Sequence, residues 1–148
     1  MNNLPPPFSP QLIGRTEKSL NAILDRQLAG AVTEPQWVTL VLIAASSRSA
    51  DRGQLTAQVA HALRANQKTA ATHIGQLAGK GLVQIAPEPG AGVALTEAGQ
   101  HLLGCVRKQV GEITQRLWGD LPVADLQVAG RVLSTVLERA EAELETGS

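Results

Sequence analysis

The side chains of this 148-residue chain that could do chemistry are unevenly placed. Residues 46–80 carry Arg48, Arg52, Arg64, Lys68 and Lys80 against Asp51 alone, a net charge of +4. Residues 81–148 carry five basic against nine acidic side chains, a net of −4, and residues 1–45 balance at three against three. The formal charge of the whole is zero, which on its face argues against a polyanionic partner, because proteins that hold nucleic acid gather positive charge to neutralise phosphates. Here the gathering is local. A guanidinium or ammonium group can neutralise phosphate or donate to guanine, Gln76 can pair with adenine, and threonine methyls can touch the methyl of thymine.

Other chemistries lack their parts. There is no glycine-rich phosphate loop, no Gly-x-Ser-x-Gly turn and no His and carboxylate pair at useful spacing, so neither an enzyme nor a cofactor is expected. His61, His73 and His101 share no metal-ligand spacing, and a single cysteine, Cys105, excludes an internal disulfide and a cysteine metal cluster. Cys105 lies mid-helix beside Leu103 and Val106, where a free cysteine is expected to pack as a small buried hydrophobe rather than act as a nucleophile or peroxide sensor. No leader pattern is evident, and no apolar run reaches the ~18 to 20 residues that span a bilayer, so a cytoplasmic protein with no membrane partner is expected.

The elements that must position the basic segment are mainly helical. Only Phe8, Trp37 and Trp118 are aromatic, leaving Leu, Val, Ile and Ala to fill one domain-sized core. Residues 1–9, with Pro5, Pro6 and Pro7 in a row, read as an extended or disordered arm. Leu12, Ile13, Leu20, Ile23, Leu24 and Leu28 follow a helical period over residues 11–29, before Gly30. Thr33 and Gln36 form a capping-box pattern at the start of a second helix striped by Trp37, Leu40, Val41 and Ala44. After a polar run and a loop to Gly53, Leu55, Val59, Ala60 and Leu63 mark a third helix. Asn66 is a plausible cap for a fourth, which runs to Lys80 before Gly81. Residues 82–86 and 92–95 read as short strands around Pro87, Glu88, Pro89, Gly90 and Ala91. Thr96 can cap a long helix striped by Leu102, Leu103, Val106, Val110, Ile113 and Leu117. Pro122 opens a last one striped by Leu126, Ala129, Leu133, Val136, Ala140 and Leu144.

Helix, tight connection, helix, hairpin is the order of a winged helix-turn-helix, in which the second helix of the pair enters the major groove. The expected fold class is therefore mainly α with a small β-hairpin wing, with long N- and C-terminal helices for dimerisation. On a helical wheel of residues 66–80, Ala70, Ile74 and Leu77 share the buried side. Lys68, Thr72, Gly75 and Gly79 lie opposite, and Thr69 and Gln76 lie on one flank. His73 falls at the edge of the buried stripe and reads as a packing histidine. The candidate DNA-binding residues are Arg48, Arg52, Arg64, Gln67, Lys68, Thr69, Thr72, Gln76 and Lys80. The terminal stripes offer more apolar surface than a small core can cover, so a second copy is the natural cover. The candidate dimer-interface residues are Leu12, Leu20, Leu24, Val110, Ile113, Leu117, Leu126, Leu133, Val136 and Leu137.

The chain also resembles the MarR family, the multiple antibiotic resistance type of bacterial regulator, over nearly its whole ordered length. The resemblance is carried by Lys80, Gly81, Leu82 and Val83 at the end of the fourth helix, by Leu95, Thr96, Glu97, Ala98 and Gly99 after the hairpin, and by the long terminal helices. It implies an N-terminal dimerisation helix in residues 10–32, a DNA-binding region in 33–100 and C-terminal dimerisation helices in 101–148. It further implies a homodimer on a pseudo-palindromic double-stranded DNA site, and a small, often aromatic, ligand between the dimer helices and the DNA-binding lobe that releases the DNA. One departure is plain. Relatives usually place an arginine in the wing, whereas no Lys or Arg occurs here between Lys80 and Arg107. That neutral wing, with the glycines of the fourth helix, favours an alternative: a dimeric winged-helix module that binds a protein or senses a ligand without specific DNA binding. The +4 segment opposes it.

Overall fold

The computed structural model describes residues 4–46, 51–87 and 92–146. The chain divides into two compact units, Met1–Val110 and Gly111–Ser148. The first holds α1 (Pro10–Leu28), α2 (Glu34–Ala45), α3 (Arg52–Leu63), α4 (Gln67–Gly79), β1 (Val83–Ile85), β2 (Val93–Leu95) and the greater part of α5 (Glu97–Trp118). The second holds the end of α5 and α6 (Val123–Thr146).

Each helix of the first unit starts where a short polar side chain can satisfy free backbone donors. Ser9 Oγ accepts from Leu12 N at 3.1 Å. Thr33 and Gln36 form the reciprocal capping box expected for α2. Asn66 Oδ1 accepts from Thr69 N at 2.8 Å. The start of α3 departs from expectation: Asp51 Oδ1 accepts from Gln54 N at 2.6 Å, and the helix begins at Arg52 rather than after Gly53. The lone acid of the basic segment is thus a cap.

Leu40, Leu55, Ile74 and Leu77, from α2, α3 and α4, are completely or almost completely buried, and Val83, Val93, Leu103 and Val106 join the same core from the hairpin and α5. The hairpin is antiparallel, with Val83 opposite Leu95 and Ile85 opposite Val93. Its exit explains the Leu-Thr-x-x-Gly element. Thr96 Oγ1 donates to the Gly81 carbonyl at 2.6 Å and accepts from Gly99 N at 3.1 Å, joining the end of α4 to the start of α5. A Cβ on Gly99 would collide with the Leu82 carbonyl, so only glycine fits. Gly81 takes the left-handed conformation, φ 75°, as its place after the helix predicts.

The second unit is built differently. None of the residues of α6 is buried, and Val128, Val132, Leu133, Val136, Leu137 and Leu144 are exposed. Among the described residues no helix is long and apolar enough to cross a membrane.

One expectation is corrected. Cys105 is exposed, with Sγ 3.6 Å from His101 Nε2, not packed as a buried hydrophobe. It lies about 200° around α5 from buried Leu103 and about 100° from Val106, which turns it away from the stripe. Leu24 and Val110, named for the dimer surface, are half-buried and pack in part against the protomer's own core.

Candidate nucleic-acid interface

The face that α4 turns outward carries Lys68, Thr69, Thr72, Gly75, Gln76 and Gly79, all exposed, over the buried row of Ala70, Ile74 and Leu77. Gln67, at its first turn, is exposed too. A Cβ added at Gly75 or Gly79 would meet nothing within 4 Å. Each glycine weakens an exposed helix by about 1 kcal/mol relative to alanine, and the packing of the protomer gives no reason for either.

Basic residues flank this helix in sequence. Arg52 is the first residue of α3 and is exposed. Arg64 closes α3 in the left-handed conformation, φ 53°, with its N–H bonded back to the carbonyls of Ala60 and His61. Arg64, Asn66 and Gln67 border a surface hollow of about 420 Å³ at the turn between α3 and α4. Arg48 lies outside the described residues, as do Glu88, Pro89, Gly90 and Ala91 of the wing.

Lys80 is also tied into the protein. Its Nζ donates to the Ala31 carbonyl at 2.9 Å and to Gln36 Oε1 at 3.0 Å. Gln36, only 5% exposed, also accepts from Thr33 N through Oε1 at 3.0 Å and donates through Nε2 to Gln76 Oε1 at 2.9 Å. Two of the candidate readers, Gln76 and Lys80, are therefore tied into the protein by a residue that sequence reading used only as a helix cap. His73 is half-buried, as a packing histidine should be, but its Nδ1 is buried without a hydrogen-bond partner.

A second concave site lies within the first unit, where the end of α2 meets β2 and α5. It encloses about 310 Å³ between Ile43, Ala44, Val93, Leu95 and Leu103, with Ser46, Gln100 and Arg107 as its polar members. Nothing in the sequence marked this hollow, because its walls come from three elements far apart in the chain. Among the described residues no group of three or more His, Cys, Asp or Glu side chains is gathered to hold a metal.

An antiparallel hairpin after a helix pair, flanked by long helices, defines a winged helix-turn-helix protein of the kind extended at both ends. The fold is that of the MarR transcriptional regulators. A mutant of the MarR protein from E. coli is 22% identical over 92% of this chain and 99% of its own, with a TM-score of 0.65. The CouR protein of Rhodococcus jostii RHA1 bound to p-coumaroyl-CoA is 17% identical over 84% and 88%, with a TM-score of 0.70. A Mycobacterium tuberculosis MarR family protein in complex with p-aminosalicylic acid is 19% identical over 85% and 95%, with a TM-score of 0.64. No family model and no curated protein matches the sequence.

Proposed function

We propose that the protein is a homodimeric, DNA-binding transcriptional regulator of MarR type and not an enzyme, with α4 in the major groove of a pseudo-palindromic operator. The observation that carries the reading is the exposed face of α4, small and polar with Lys68 on it and Arg64 at the turn before it. Lys68, Thr69, Thr72 and Gln76, exposed on this helix, would meet base edges. Arg52, Arg64, Gln67 and the sequence neighbour Arg48 would serve the phosphates. The two glycines let the helix backbone come close to the groove floor. With no cation in the wing, the grip rests on α4 and its surroundings.

The second copy would cover the exposed apolar rows: Leu12 and Leu20 of α1, Leu117 of α5, and Leu133, Val136 and Leu137 of α6, with Ile113 and Leu126 half-buried already. The hollow beside Arg107 fits a small organic anion with a flat apolar body. Its 310 Å³ is at the lower end for a ligand pocket, and the guanidinium and the Gln100 amide supply the polar contacts. Binding there would shift the dimer away from its DNA-competent arrangement.

Selection of duplexes from a random-sequence library by the full chain tests the reading. The expected result is an inverted repeat with half-sites roughly 10 base pairs or a multiple apart, bound by two protomers. The neutral wing favours the runner-up, a dimeric module for a protein partner, and enrichment of no sequence would move the conclusion there.

A further inference from the structure

The hydrogen bonds around Gln36 have a fixed direction. A backbone N–H and an ammonium group can only donate, so the atom of Gln36 that receives both Thr33 N and Lys80 Nζ must be its amide oxygen. Its Nε2 is then a donor, and the atom of Gln76 facing it at 2.9 Å must be the acceptor Oε1. The choice of amide orientation at both glutamines thus follows from the two obligatory donors. With its oxygen held toward buried Gln36, what Gln76, exposed on the outer side of α4, turns outward is its NH₂ group.

From this relay we infer that Gln76 reads the major groove as a hydrogen-bond donor, that buried Gln36 sets this polarity, and that Lys80 is a positioning residue rather than a phosphate contact. The inference rests on the DNA-binding reading and adds a base preference to it. The two-point pairing of glutamine with adenine needs the amide oxygen to accept from N6 while the nitrogen donates to N7. The oxygen keeps a second lone pair, but its bond to buried Gln36 holds it toward the protein, which turns the NH₂ on the other side of the amide carbon outward, where it is matched by guanine, whose O6 and N7 both accept, and opposed by the N6 amine of adenine. The position that Gln76 faces should therefore favour guanine over adenine. Lys80 helps because its ammonium holds the Gln36 oxygen and ties the end of α4 to the Ala31 carbonyl in the turn after α1.

Library selection with wild type, Gln76→Glu, Gln36→Met and Lys80→Met tests this. Gln76→Glu still accepts from Gln36 but turns an acceptor outward, so the favoured base at one position per half-site should change from guanine to cytosine or adenine, which carry amine donors. Gln36 is buried and cannot reach DNA, so a fall of about 2- to 30-fold in preference for the wild-type site over random duplex in Gln36→Met would report positioning. Lys80→Met should lower the same ratio while leaving the salt slope on random duplex unchanged. A phosphate contact would instead lower the slope by about one unit and leave the ratio intact. Thermal melts establish that each variant is folded at the assay temperature. Should Gln36→Met fail to fold, Gln76→Glu and Lys80→Met decide alone. Adenine selected by wild type at the Gln76 position, or an unchanged ratio in both methionine variants, overturns the inference while the DNA reading stands. Selection of no sequence by wild type overturns both.

Discussion

Residues 4–110 and 111–146 solve the burial problem in opposite ways. The first unit seals a core of large apolar side chains, leaving Leu12 and Leu20 of α1 exposed. Leu40, Leu55, Ile74 and Leu77 have almost no accessible surface, and even the polar Gln36 is inside with its hydrogen bonds made. The second leaves seven large apolar side chains of α6 exposed and buries none. A helix hydrophobic over such a wide arc has not found all of its partners within one chain. The lesson is a division of labour: the core of the first unit is complete in the protomer, while the stability of the second is expected to depend on how many protomers are present.

The largest effect should come from breaking that dependence. Leu133→Asp or Val136→Asp places a charge in the exposed row of α6. Light scattering should then give the 15.5 kDa protomer, or misfolded material, in place of twice that mass. A wild type that is monodisperse at 15.5 kDa at micromolar concentration would contradict the proposed dimer. In the first unit, Leu40→Ala should cost about 2–5 kcal/mol, as cavity-forming substitutions in a sealed core do. Its melting shift should not depend on protein concentration, whereas the wild-type midpoint itself should rise with concentration.

Next in size is Gly99→Ala, which drives a methyl into the Leu82 carbonyl and should destabilise by about 1–3 kcal/mol in thermal or urea unfolding. Gly75→Ala and Gly79→Ala, in open space on α4, should instead stabilise the free protein by about 0.5–1 kcal/mol each. In the same variants DNA binding should weaken. Opposite signs for stability and affinity are what a close approach of this helix to DNA requires, and tighter binding would argue against it. The smallest effect is expected at Cys105. Its exposed thiol packs into no core, so Cys105→Ser should change stability by less than about 0.5 kcal/mol.

The comparison also marks what the sequence could and could not disclose. Local signals were legible. The Thr33 and Gln36 box, the Asn66 cap, the left-handed Gly81 and the apolar period of each helix depend on residues three or four apart, and the structure places them as read. Asp51 was missed because Gly53 and the serines before it look like loop, although an aspartate before a helical stripe is itself a cap signal. The rest needed the tertiary fold. Gln36 and Gln76 stand 40 residues apart and Lys80 and Ala31 stand 49 apart, so no spacing rule could show that these side chains meet. Lys80 was named as a DNA contact, and its bonds to the Ala31 carbonyl and Gln36 could not be foreseen. The Leu-Thr-x-x-Gly element was recognisable as a pattern, but its reason lies in the Leu82 carbonyl, which only the folded hairpin brings there.

The most direct measurement titrates Lys68→Ala and Glu88→Ala against the same selected duplex at several salt concentrations. If α4 grips the groove while the wing supplies no charge, Lys68→Ala should lose about 1–3 kcal/mol with altered base preference if Lys68 reads a base. If Lys68 meets only phosphate, the salt slope should fall by about one unit. Glu88→Ala should bind as tightly as wild type or slightly tighter, since it removes a negative charge. Wild-type affinity in Lys68→Ala, together with loss of binding on substitution in the wing, would contradict the placement of α4 as the DNA-reading helix.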